Sequence, residues 1–119
     1  MIFVKINNTL YPATVSGRVA DSNWDGRESK AITLEMTYAT AITLFVNGLA
    51  WSIVQKTDVP VYDENGEQTG TETKEEVFDN SEYNLAGDIT DHRDGTITAK
   101  MGKLTDLEEA YEIMFGGNN

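Results

Sequence analysis

The sequence predicts an α+β fold built mainly of antiparallel β-hairpins, with one short helix and a C-terminal helix packed on the sheet. Apolar and polar residues alternate over most of the chain, as they do in half-buried strands. Asn and Gly pairs interrupt these stretches in the way that hairpin turns do. Two other stretches have helical spacing and capping residues. The length of 119 residues predicts a single domain over residues 1–119.

The first hairpin is predicted from alternation on both sides of a turn. Residues 2–6 and 9–13 are strands, and Asn7-Asn8 supplies a two-residue turn that tolerates positive φ. This register sets Val4 opposite Tyr11, so that apolar residues share one face.

Two further strands are predicted on either side of a polar loop. Residues 14–20 extend the second strand, and residues 30–37 (KAITLEMT) form the next one. There Ile32, Leu34 and Met36 alternate with polar residues, which predicts one buried face.

A short helix is predicted next, from Thr37 as N-cap to a stop at Asn47-Gly48. Its apolar residues recur at helical spacing: Tyr38, Ala41, Ile42 and Phe45. The high content of β-branched residues argues against a helix, although the caps favour one. Residues 49–57 then form a strand with Trp51 in the core.

Residues 57–78 predict a long polar hairpin that turns at Asn65-Gly66. The far strand of this hairpin, TETKEE, is too charged for burial and is expected to project into solvent.

The last hairpin spans residues 85–102. A three-residue loop, Arg93-Asp94-Gly95, sets Ile89 against Ala99, whereas a two-residue loop would put Ile89 opposite Lys100. Leu85 and Ile89 are predicted to share a face.

The C-terminal helix has the clearest signal of its kind in the chain. Thr105-Asp106-Leu107-Glu108 is a capping box, and Gly116-Gly117 predicts the end of the helix. Apolar residues follow at helical spacing: Leu107, Ala110, Tyr111 and Met114.

Charge and composition exclude several classes of protein. Twenty acidic and nine basic residues give a net charge of −11, which disfavours binding to nucleic acid or to anionic membranes. Without cysteine there is no disulfide or thiolate chemistry. The opening MIFVKINNTLYP lacks the pattern of a secretory leader, and no apolar run predicts a transmembrane helix. The sequence therefore predicts synthesis in the cytoplasm of the host cell.

The stretch DSNWDG resembles half of a calcium loop. Asp21, Asn23 and Asp25 are spaced as calcium ligands, but the twelfth position is Ile32, where a bidentate Glu is required. Asp, Asn and Gly are also ordinary turn residues. We therefore favour a simple strand connection over a metal site, and we predict no cofactor.

No catalytic constellation is predicted. His92 lies beside Asp91 and Asp94 and is a candidate base, but the sequence positions no nucleophile, so we favour a solvated residue at a hairpin tip. Carboxylate pairs carry no signal in so acidic a chain. The sequence favours a protein without enzymatic activity.

Trp24 and Arg27 are the candidate binding residues. A tryptophan among Asp, Asn and Gly either folds back over the sheet or stands exposed as a contact anchor, and these alternatives are evenly balanced. Arg27 is placed to cap the indole face or to pair with a nearby acid.

Three stretches resemble small prophage-encoded proteins of Firmicutes: NWDGRESKAITL, TYATAITLFVNGLAWSIV and AGDITDHRDGTITAKMGKLTDLEEAYEIMFGG. The resemblance implies a phage structural or accessory protein of a tail module, which is expected to be virion-associated. It implies contacts with other phage structural proteins or self-association, and it assigns no catalytic residues. A second hypothesis is a small module that binds a saccharide or a host protein through Trp24, with a calcium ion at Asp21, Asn23 and Asp25.

Overall fold

A computed structural model describes residues 1–111 and 114, and most of them belong to one antiparallel β-sheet with two short helices. The elements, in chain order, are β1 (Ile2–Ile6), β2 (Thr9–Asp21), β3 (Arg27–Glu35), α1 (Tyr38–Leu44), β4 (Ser52–Tyr62), β5 (Gln68–Asp79), β6 (Leu85–Asp91), β7 (Thr96–Gly102) and α2 (Asp106–Tyr111). Across the sheet the strand order is β5-β4-β1-β2-β3-β7-β6, so β5 and β6 are its edges within the described residues.

Strand β2 joins two halves of the sheet. Its first residues pair with β1, and its residues from Ala13 onward pair with β3. The hairpin of β4 and β5 therefore lies on one side of β2, and the hairpin of β6 and β7 lies on the other side.

The first hairpin has the predicted register. Val4 is paired with Tyr11, and Asn7 and Asn8 have φ of 52° and 65°. Both turn residues are left-handed, as a two-residue turn between twisted strands requires.

The hydrophobic core covers one face of the sheet, and α1 packs there against β6 and β7. Thr37 caps α1 as predicted, because its hydroxyl accepts a hydrogen bond from the Thr40 N–H at 3.2 Å. The predicted apolar face of α1 is only half buried, since Ala41 and Phe45 lie in the core while Tyr38 and Ile42 are exposed. The core residues are Val4, Ile6, Ile32, Leu34, Ala41, Phe45, Leu49, Trp51, Tyr83, Ile97, Ala99 and Met101.

The last hairpin confirms the predicted loop and corrects one face. Ile89 pairs with Ala99, and the His92 N–H donates to the Thr96 carbonyl at 3.2 Å, which closes a three-residue loop. A bulge between Ala86 and Ile89 shifts the alternation by one residue, so Ala86 packs on the core beside Ile89 in place of Leu85. The prediction that Leu85 shares the face of Ile89 is wrong for this reason.

The C-terminal helix begins as predicted but buries little. Its capping box is formed, because the Thr105 N–H donates to Glu108 Oε1 at 2.9 Å and the Glu108 N–H donates to Thr105 Oγ1 at 3.2 Å. None of the residues of α2 is buried, and Leu107 is 81% exposed, so the predicted burial of an apolar helix face against the sheet is not observed in the described part of this helix. The predicted stop at Gly116-Gly117 lies outside the described residues.

The hairpin of β4 and β5 extends away from the core. β4 pairs with β1 between Ser52 and Gln55, and Lys56 is hydrogen-bonded to Met1; beyond Lys56 the hairpin is two-stranded. The radius of gyration is 18.3 Å, whereas a compact chain of this length has about 13.5 Å. The prediction of a projecting hairpin over residues 57–78 agrees with this shape, and we call this segment the acidic hairpin. No helix in residues 1–111 and 114 is both long and apolar enough to cross a membrane.

Candidate functional site

The turn that carries Trp24 is shorter than predicted, because β3 already begins at Arg27. The Asp21 carbonyl accepts from the N–H groups of Trp24 (3.0 Å) and Gly26 (2.8 Å). Asp25 and Gly26 have φ of 57° and 73°, a conformation that Asp and Gly tolerate better than most residues. This tight turn reverses the direction of the chain between β2 and β3.

Trp24 folds back over the sheet, which is the first of the two alternatives left open by the sequence. A Cβ added at Gly102 would lie 2.7 Å from the Trp24 ring, and one added at Gly87 would lie 2.9 Å from it. The indole therefore packs directly on the backbone of β7 and β6. Only glycine leaves room for it at these two positions.

Arg27 links this turn to the C-terminal helix. Its guanidinium lies 5.0 Å from the centroid of the Trp24 ring, and it donates to Glu108 Oε1 at 2.6 Å and Oε2 at 3.1 Å. It also donates to the Lys103 carbonyl at 3.0 Å. Arg27 lies against the indole as predicted and 3.9 Å from the local acid Asp25, but the acid to which it is hydrogen-bonded, Glu108, is distant in sequence. The hydrogen bonds from Arg27 lower the pKa of Glu108 to about 2.

Asp21 forms the other half of this arrangement. Its carboxylate is buried and accepts from Lys100 Nζ at 2.7 Å, from the Asn23 N–H at 3.0 Å and from Ser29 Oγ at 3.4 Å. The bond from Lys100 is the main reason why the pKa of Asp21 is lowered. We call the set Asp21, Trp24, Arg27, Lys100 and Glu108 the Trp24 cluster.

The Trp24 cluster lies on the face of the sheet opposite the core. Successive side chains of a strand point to opposite faces of the sheet. On β3, Arg27 and Ser29 therefore lie on the face opposite to that of the buried Ile32. On β7, Lys100 likewise lies on the face opposite to that of Met101. The cluster therefore fastens the β2–β3 turn and α2 to the outer face of the sheet, and its side chains are already engaged with one another.

The candidate calcium ligands are arranged differently from an ion site. The Lys100 ammonium supplies Asp21 with the positive charge that a cation would bring, while the Asp25 side chain is 87% exposed and lies 3.9 Å from Arg27. Asn23 is exposed. In residues 1–111 and 114, no group of three or more His, Asp or Glu side chains is placed to hold a metal ion.

His92 lies at the exposed end of the β6–β7 hairpin. Its Nε2 is 2.7 Å from Thr98 Oγ1, and that hydroxyl is also 2.7 Å from Thr33 Oγ1. The histidine thus contacts a row of threonine hydroxyls on the strands.

The acidic hairpin differs from these clusters in its exposure to solvent. Every residue of β5 is exposed. Residues 57–78 contain seven acidic residues and one lysine, so they carry a net charge of −6 out of −11 for the chain. More than half of the net charge lies in this one hairpin.

The outer backbone of β5 faces solvent. Lys56 exchanges hydrogen bonds with Met1 on the β1 side, at 2.9 Å and 2.8 Å, so its backbone points away from β5. Its partner Glu75 therefore directs its N–H and C=O outward, and so do the alternate residues Thr71, Thr73 and Val77. No described strand pairs with these groups.

The opposite edge is partly covered. The Ala86 N–H on β6 donates to Asn47 Oδ1 at 2.8 Å, and the Asn84 carbonyl accepts from the Gly48 N–H at 2.7 Å. The segment after α1 thus covers the start of β6, where the bulge also bends the strand.

No protein-family model, curated protein or solved structure matches this chain.

Sequence reasoning found the projecting hairpin but missed two features of the site. Glu108 and Lys100, the partners of Arg27 and Asp21, are 81 and 79 residues away along the chain. The capping box predicted a contact for Glu108 only at the start of its own helix. The open edge of β5 depends on strand order, for which the sequence holds no local signal.

Proposed function

We propose that this protein is a non-enzymatic structural or accessory protein that acts through protein–protein contacts, and that the acidic hairpin is its main contact surface. The observation that carries the proposal is the open outer edge of β5, which is exposed along its whole length. An exposed row of backbone donors and acceptors is a template for pairing with another chain.

The contrast with the Trp24 cluster supports this assignment. Arg27 is only 5% exposed and is held by Glu108, so little of it is available to a partner. We therefore assign the Trp24 cluster the task of fixing the turn and α2, and the acidic hairpin the task of recognition.

The resemblance to prophage proteins supplies the context of the proposal. We place the protein in a phage tail or a related structural module, synthesised in the bacterial cytoplasm and associated with the virion. Its partners there are other structural proteins or further copies of itself. Symmetric assemblies commonly use free strand edges for such contacts.

The test compares the full chain with a shortened variant in which Asn-Gly replaces residues 58–73. This turn joins Thr57 to Lys74, which face each other across the hairpin. The two-stranded part carries no core residue, so we expect thermal unfolding to shift by only a few degrees.

Contacts are then measured by light scattering for self-association, and by cross-linking in infected or induced cells for other partners. The shortened variant keeps only residues 74–79 of β5, so it should bind the partner, or form the oligomer, much more weakly than the full chain. Glu64→Gln at the tip is the matched control, because it keeps the β5 edge and should behave like the parent. Equal association by the full and shortened chains would refute the proposal.

A further inference from the structure

We infer that the occupant of the β5 edge is a cationic, extended polypeptide segment of another protein, which adds to the sheet as an eighth strand. This inference rests on the proposed function and narrows it, because it excludes a second copy of this chain at the same edge. It follows from charge, from the direction of the backbone groups and from the exposed apolar side chains of β5.

Charge opposes pairing between two acidic hairpins. Each one has a net charge of −6, and side-by-side pairing would bring the two within about 5 Å, well inside the screening length at physiological salt. A lysine- or arginine-rich strand would meet Glu72, Glu75 and Glu76 with opposite charge instead. The same carboxylates thus repel one class of strand and attract another.

The side chains of β5 also define a pattern for the incoming strand. Val77 and Phe78 are neighbours, are 55% and 47% exposed, and point to opposite faces of the sheet. A matching strand has two adjacent apolar residues opposite this pair and basic residues opposite the three glutamates. The outward N–H and C=O groups of Thr73, Glu75 and Val77 then complete the ladder.

The probe is a fluorescent synthetic peptide built on this pattern. An adjacent valine and isoleucine are placed to lie opposite Val77 and Phe78, and lysines are placed to lie opposite the three glutamates. Binding to the full chain is measured by fluorescence anisotropy. Two control peptides separate charge from strand pairing. One has glutamates in place of the lysines, and the other keeps the lysines but has proline residues within the strand. We expect the lysine peptide to bind at least about tenfold more tightly than either control.

Two protein variants test the same edge from the other side. Thr73→Pro removes an outward N–H but leaves the pairing with β4, which uses the alternate residues. Its matched control, Thr73→Val, loses the same hydroxyl contact to Asp58 but keeps the N–H. We expect about a tenfold loss of peptide affinity with Thr73→Pro and less than about twofold with Thr73→Val.

The charge contribution is tested with the triple variant Glu72→Gln, Glu75→Gln and Glu76→Gln. We expect it to bind the lysine peptide about tenfold more weakly and to self-associate in light scattering where the parent does not. Equal binding of the lysine and proline peptides would refute strand addition. Oligomers of the parent that Thr73→Pro abolishes would show that a second copy is the occupant.

These outcomes are distinct from failure of the proposed function. If the shortened chain loses a natural partner but the lysine peptide does not bind, the contact surface stands and the cationic strand is wrong. If neither effect is seen, both are wrong.

Discussion

The two edges of the sheet are treated in opposite ways. At β6, a bulge, the Asn47 side chain and the segment after α1 occupy the start of the strand, and the Trp24 ring packs on Gly87. At β5, twelve residues run without a bulge except near the tip, and all of them are exposed. The β6 edge is partly covered by other parts of the chain, whereas the β5 edge is protected only by charge.

The difference matters because the two forms of protection act on different partners. A bulge and a bound side chain hinder any strand, whatever its composition. Charged side chains hinder strands of like charge and favour those of opposite charge. An edge protected by charge alone is therefore a selective binding surface.

The largest effect should come from adding a methyl group on the covered side. Gly102→Ala would place a Cβ 2.7 Å from the Trp24 ring and 2.8 Å from Arg27 Cδ, and both side chains are held in place. We expect a loss of about 2 kcal/mol in the free energy of unfolding, measured by urea titration.

The matched substitution on the open side is Gly70→Ala in β5. Nothing lies within 4 Å of the position that its Cβ would take. We expect a change within about 0.5 kcal/mol. Similar losses at Gly102 and Gly70 would contradict the contrast between the part of the sheet that Trp24 covers and the open acidic hairpin.

The next effect concerns the cover on β6. Asn47→Ala removes the acceptor for the Ala86 N–H and should cost about 1 kcal/mol. Hydrogen exchange of the Ala86 amide should become faster. Asn65→Ala at the tip of the acidic hairpin is the control and should leave the exchange at Ala86 unchanged. If exchange at Ala86 stays slow in Asn47→Ala, other contacts protect this edge.

A smaller effect should appear in acid, through the Arg27–Glu108 pair. The folded pKa of Glu108 is about 2, below its ordinary value of 4.5. The stabilisation is therefore present above pH 4.5 and is lost as the pH falls through about 2. Because Glu108 is partly exposed, we expect Glu108→Gln to lower stability at neutral pH by less than about 1 kcal/mol.

The readout is the melting temperature between pH 5 and about pH 2. Glu108→Gln should flatten part of this dependence, whereas Glu109→Gln, a neighbour on the exposed side of α2, should not. An identical acid profile for the parent and Glu108→Gln would show that the pair contributes nothing to folding.

The smallest effect is expected from calcium. Millimolar calcium should shift the melting temperature by less than about one degree, because Lys100 already neutralises Asp21. Asp25→Asn, at an exposed position, should respond in the same way as the parent. A rise of several degrees that Asp25→Asn removes would restore the calcium hypothesis for the β2–β3 turn.

The sequence by itself determined the features that depend on residues close together in the chain. The Asn7-Asn8 turn, the three-residue loop ending at Gly95 and the caps at Thr37 and Thr105 each form within a few residues, where local conformational preferences decide the outcome. The charge of the acidic hairpin could likewise be counted from the sequence, and it predicted that the hairpin projects into solvent.

Only the tertiary structure decided which edge is open and which is covered. Strand order is set by packing the core, and the bulge in β6 alters the face of each residue after it. The partners of Arg27 and Asp21 are about 80 residues distant, and they meet only because β7 and α2 lie beside the turn. Such contacts depend on the whole chain being folded, and no local pattern encodes them.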